Sequence, residues 1–223
     1  MNVAKNVGGE REVQRKTTGA RIPRWPFFIA VMLIGALMSA LSENVTIGPS
    51  WLTLAIVTAS IIPLLIAVVM EHHQWIRRVS FTIIFIMTVA LLSSVIFLVH
   101  SLFTHSTSAI VLFEDALVLW SANVVVFATW YWEVDQGGPT HRHTHLTKPT
   151  DLLFPQATLD NEEWKDWKPT FVDYVFLSFN TSTAFSPTDT LVLSRRVKVL
   201  MMTQSSISLV IVAVLAARAI NIA

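Results

Sequence analysis

Apolar residues fall into long blocks separated by short polar links, with neither the alternation of a half-buried strand nor the narrow stripe of a surface helix. The blocks cover residues 25–41, 51–70, 80–99, 109–132 and 197–220. A bilayer core of about 30 Å is crossed by about 17–25 apolar residues in a helix, so each block can span, the first only at the lower limit. Pro63 interrupts the second block, where a missing amide hydrogen predicts a kink. Residues 168–189 break the pattern. Pro169 suits a first helical turn, and a helix from there to Asn180 rises only about 18 Å. Thr181, Ser182, Thr183, Ser186 and Thr188 then surround Ala184, Phe185 and Pro187, and the stretch closes on Asp189 before the last block. A helix too short to cross, followed by a polar turn and a span, predicts a re-entrant half-helix.

The expected fold is therefore an all-α membrane protein with five transmembrane helices and a re-entrant half-helix before the last. Residues 1–24 form a basic cytoplasmic tail and 25–108 a three-helix membrane region. Residues 109–223 form a pore-like module: a helix, a polar loop over 133–168, the re-entrant loop over 169–189 and a last helix over 195–221. Composition agrees. Of 223 residues, 53% are hydrophobic and 14% charged, against about 25% charged in soluble domains, and the mean hydropathy is +0.56. The absence of cysteine excludes disulfides, thiolate metal sites and a cysteine nucleophile. No nucleophile–base set, phosphate-cradling loop or dinucleotide fingerprint occurs, so neither an enzyme nor a cofactor is expected.

The net charge of +1 hides an asymmetry. Lys5, Arg11, Arg15, Lys16, Arg21 and Arg24 precede the first block, a pattern that sets orientation and gives no reason to expect a nucleic-acid partner. With the N-terminus in the cytoplasm, every Lys and Arg except Arg218 falls on the cytoplasmic side. The expected location is the bacterial inner membrane, as a multi-pass protein in the lipid bilayer. The basic leader and Ala40-Leu41-Ser42 also mimic a secretory signal with its cleavage site; the leader is long for one, and the segment is read as a retained anchor.

The order Tyr174, Ser178, Phe179, Thr181, Thr183 and Asp189, followed by a span ending in Ala217-Arg218, resembles the pore loop and inner helix of potassium-channel-type proteins. The resemblance covers the last quarter of the chain. The family's Thr-Thr-Val-Gly-Tyr-Gly-Asp falls on Thr183-Ala184-Phe185-Ser186-Pro187-Thr188-Asp189. Both glycines are replaced, so the family's carbonyl cage is not expected here. The whole chain is also similar to bacterial membrane proteins with a comparable pore-like tail, which adds no activity. The family resemblance implies a homotetramer passing a monovalent cation. Hydroxyls of Thr181, Ser182, Thr183, Ser186 and Thr188 would line the constriction, Asp189 would form a carboxylate ring, and Phe185 would be a dewetting gate or a plug. Pore loops of that family enter from outside, whereas the charge asymmetry sends this one in from the cytoplasm. The alternative is a non-conducting membrane scaffold with a channel-derived fold.

Other polar positions inside apolar blocks carry their own expectations. Gln204 and Ser208 lie one turn apart with Ser205 beside them, a stripe that suits a wet lumen and equally suits tight helix packing. Glu114 and Asp115 would be costly in lipid without a partner, and Arg218, at the corresponding depth of the last block, is the expected one. His141, His143 and His145 alternate in the polar loop and fit a weak metal site, a pH sensor or ordinary exposed loop. A short interfacial helix is expected around Asp160 to Trp167. Trp25, Trp51, Trp75, Trp130 and Trp132 sit at block ends, where indoles form interfacial belts.

Overall fold

The computed structural model describes residues 24–46, 48, 50–70, 73–104, 107–139, 142, 150–165, 167–183 and 189–222. Among them are six α-helices: α1 Trp25–Ser39, α2 Ser50–Val69, α3 His73–Thr104, α4 Ala109–Val134, α5 Phe171–Thr183 and α6 Arg195–Ile222. A two-residue strand β1, Leu152–Leu153, pairs antiparallel with β2, Leu191–Val192. Three stretches are long and apolar enough to cross a membrane: Gln74–Thr104, Ala109–Gly137 and Arg195–Arg218. The apolar helices Trp25–Ser39 and Leu54–Val69 are shorter.

Helix α4 is the hub. Its side chains from Ala122 to Val134 are buried almost all round, as expected of a helix whose apolar surface is not confined to one stripe. It packs against α1, α3, α5 and α6. Ser108 caps its first turn by accepting from the Val111 amide at 3.4 Å, which satisfies one of the donors a helix start leaves open.

Polar side chains fix the directions of the surrounding helices. Arg24, just before α1, pairs with Glu133 near the end of α4 at 3.1 Å. Just beyond the other end of α1, Ser42 donates its amide and hydroxyl to Asp115 at 2.9 and 2.5 Å. Contacts at 24 with 133 and at 42 with 115 make α1, 15 residues or about 22 Å long, run antiparallel to α4. Arg77 of α3 donates to the Gly137 carbonyl at 2.9 Å, and the Trp130 indole donates to Thr88 at 2.8 Å. Helices α1 and α2 cross closely at Gly35, where an added Cβ would lie 2.9 Å from a Val57 methyl.

The tryptophans divide. Trp25, Trp51 and Trp75 are 60–65% exposed. Trp130 and Trp132 depart from the expected belt. Trp130 is bonded to Thr88, and Trp132 is 4% exposed. Both lie where α4 is packed on several sides, so the indoles face protein.

Candidate functional site: the half-length helix and the charged end of the bundle

The short helix expected at Pro169–Asn180 begins and ends later, at Phe171–Thr183. Thr170 sets its start. The Asp173 carboxylate accepts from the Thr170 amide at 2.7 Å and hydroxyl at 2.8 Å, so Pro169 precedes the helix. At the other end, the Thr181 hydroxyl donates to the Leu177 carbonyl and the Thr183 hydroxyl to that of Asn180, at 2.8 and 3.0 Å. Both threonines lie within the helix.

One end of α5 is held in a knot of charge. Tyr174 donates to Asp135 at 2.6 Å, while the other oxygen of Asp135 accepts the amides of Asp151 and Leu152 at 3.2 Å. Asp151 takes the Gln136 amide at 3.0 Å and a forked Arg196 guanidinium at 2.8 and 2.6 Å. Arg142 donates to the carbonyls of Trp132 and Asp135 at 2.8 and 2.9 Å. Its guanidinium lies 4.5 Å from the Trp132 ring and 5.1 Å from the Tyr174 ring, where aromatic faces stabilise a cation. The turn that brings Asp135 and Asp151 together needs positive φ at Gly137 and Gly138, 82° and 94°, which glycine adopts cheaply. At Asp151, burial pulls the carboxyl up; hydrogen bonds from Arg196, Ser194 and Gln136 outweigh it and hold the group below the usual carboxylate range.

The other end of α5 lies deep beside the middle of α4. The Ser178 hydroxyl donates to the Val124 carbonyl at 2.6 Å, and Phe179 meets Trp120 edge-on. Gln204 of α6 donates its amide to the Ser178 carbonyl and hydroxyl and to the Ser182 hydroxyl at 2.7–2.9 Å, and accepts from Tyr131 at 2.5 Å. Ser208 donates to the Ser182 carbonyl, and Ser205 to that of Thr181 at 3.2 Å. After this end the chain returns to the knot. Leu191 pairs with Leu153, and the Leu193 amide donates to the Asp151 carbonyl at 2.9 Å.

Several expectations are corrected. Gln204 and Ser208, equally suited by their spacing to a lumen or to packing, are buried at 0% and 2% exposure, and with Ser205 they bond α5 within the chain. Thr181 and Ser182 are likewise buried and occupied by helix contacts. The pair of Arg218 with Glu114 or Asp115 does not form among the described residues. Asp115 is taken by Ser42, Glu114 is exposed, and Nε and Nη2 of buried Arg218 find no hydrogen-bond partner. Asn161 to Lys165 make a bend and turns in place of an interfacial helix. Trp167 packs on Phe154 at 5.7 Å.

Asp189 is exposed beside the return strand. Ala184, Phe185, Ser186, Pro187 and Thr188 lie outside the described residues, as do His141, His143 and His145. No group of three His, Asp or Glu among the described residues could hold a metal ion.

The knot itself escapes a linear reading. Its one local signal is Glu133 and Asp135 closing an apolar block just before Gly137-Gly138. Nothing in chain order joins Glu133 to Arg24, 109 residues away. No family model, curated protein or solved structure matches the chain.

Proposed function

We propose that the chain is a five-span subunit of a homotetrameric, channel-like protein of the bacterial inner membrane, passing a monovalent cation past the deep end of α5. One observation carries the reading. Helix α5 leaves the charged end of the bundle at Tyr174, reaches the level of Val124 and Gln204, and by Leu191 the chain is back at Asp151. In lipid such a path is re-entrant, and the open carbonyls of a helix end at that depth are tolerated only when buried in protein or facing water. A second copy around a shared axis supplies that surrounding. The negative end of the α5 dipole at Thr183 favours a cation there.

Arg24, Arg77, Arg142 and Arg196 all gather at the end from which α5 departs. The positive-inside rule makes that end cytoplasmic, so α5 enters from the cytoplasm, opposite to the family it resembles. The purified protein in liposomes should carry a cation flux that Asp189→Asn lowers; no flux over a wide range of voltage and pH would end the reading.

A non-conducting scaffold is the second reading, and the engagement of Thr181, Ser182 and Gln204 within one chain favours it. It predicts a tetramer, detected by native mass spectrometry, with an axis impermeable to water. A water-filled path along that axis would eliminate it.

A further inference from the structure

We propose that a crevice between α2 and α3, at the charged end of the bundle, holds one anionic phospholipid by its phosphate and an acyl chain. Two adjoining cavities make up the crevice. The outer one, an open hollow of about 570 Å³, is lined by α3 alone, through Gln74, Arg77, Arg78, Phe81 and Thr82. The inner one, about 350 Å³, runs between Ser60 and Pro63 of α2 and Trp75, Ile83 and Ile86 of α3, with an almost wholly apolar wall. Arg78 and Thr82 line both, so a cation borders the apolar slot between the two helices.

Depth and charge choose the occupant. Arg77 is pinned to the Gly137 carbonyl at 2.9 Å and lies 5.4 Å from the Phe81 ring, which sets the outer hollow level with the end of α4. Trp75 is 60% exposed beside it, the position of an interfacial indole. The buried acids described at this end are already engaged: Glu133 by Arg24, Asp135 by Tyr174 and backbone amides, Asp151 by Arg196. Arg78 is exposed and forms no ion pair among the described residues. A fixed Arg77 and an unengaged Arg78 at headgroup level recognise a phosphate. The apolar slot beside Arg78 selects a lipid over a free anion. A soluble phosphate would leave that slot empty. The inference requires only that α3 crosses the membrane, and it stands apart from the channel reading.

The test uses the full chain purified in detergent, with phosphatidylglycerol or phosphatidylcholine added and adducts counted by native mass spectrometry. The protein should retain phosphatidylglycerol over phosphatidylcholine. Arg78→Gln should lower the phosphatidylglycerol adduct about fivefold, the worth of one cation near an anionic surface, and leave phosphatidylcholine unchanged. Arg78→Lys should restore most of the preference, which separates lost charge from a misfolded variant, and Ser60→Phe should weaken both adducts by filling the slot. Equal phosphatidylglycerol retention by Arg78→Gln and the parent chain would overturn the proposal. So would complete displacement of the lipid by millimolar inorganic phosphate.

Discussion

Gln204 donates its side-chain amide to both the carbonyl and the hydroxyl of Ser178, at 2.9 and 2.7 Å, across the contact between α6 and α5. A half-length helix has little surface with which to hold itself in place. Amide and hydroxyl bonds in an apolar interior supply direction that dispersion contacts lack. Tyr131 on the far side of Gln204 ties the same group to α4, so one side chain sets the relative position of three helices.

Gln204→Leu should therefore destabilise the protein by about 1–3 kcal/mol, because it takes from the buried Ser178, Ser182 and Tyr131 groups a hydrogen-bond partner they share. Tyr131→Phe should cost less, about 0.5–1.5 kcal/mol. Unfolding in mixed micelles measures both. The double variant should fall short of the sum, since the two changes break one shared bond.

The pairing of Asp151 with Arg196 predicts an acid-sensitive return strand. A carboxyl held below its unfolded value of about 3.9 adds stability at neutral pH, and that stability is lost as the pH falls through the lower folded value. The melting temperature in detergent should drop more steeply between pH 5 and about pH 2 for the parent chain than for Asp151→Asn. Parallel acid limbs would remove Asp151 as the source.

At the crossing of α1 and α2, Gly35→Ala would put a Cβ 2.9 Å from Val57 Cγ1 and 3.3 Å from Leu54 Cδ1. The helices must separate, at a cost of about 1–3 kcal/mol. Val57→Ala in the same chain should recover most of the loss. A Gly35→Ala protein as stable as its parent would show that the crossing yields without penalty.

The chain contains no cysteine, so single thiols report sidedness without background. Thr170→Cys before α5 and Leu191→Cys after it should react with a membrane-impermeant maleimide from the same side of oriented vesicles. Glu43→Cys, just beyond α1, should react from the opposite side. Labelling of 170 and 191 from opposite sides would mean that α5 crosses outright.

The presence of the long helices was readable because span length against bilayer thickness is a property of consecutive residues; the bounds of α3 were not, since it runs His73–Thr104 beyond the expected block 80–99, through polar residues at both ends. The start of α5 was misread by two residues, since Pro169 and Thr170 both suit a helix start and only the Asp173 contact selects Thr170 as the cap. Trp130 and Trp132 were misplaced for a related reason. Their position at a block end says how deep they sit, and says nothing of whether lipid or protein lies beside them.

By itself the sequence determined a helical membrane class, a segment before the last helix too short to cross, and a basic bias toward one end, all properties that accumulate along neighbouring residues. Only the tertiary structure assigned the buried polar groups: Asp115 to Ser42 in place of Arg218, Gln204 and Ser208 to α5 in place of a lumen, and Asp135 and Asp151 to a single knot. A buried polar group bonds whatever helix packing brings within about 3 Å, and in a bundle that neighbour is commonly distant in the chain.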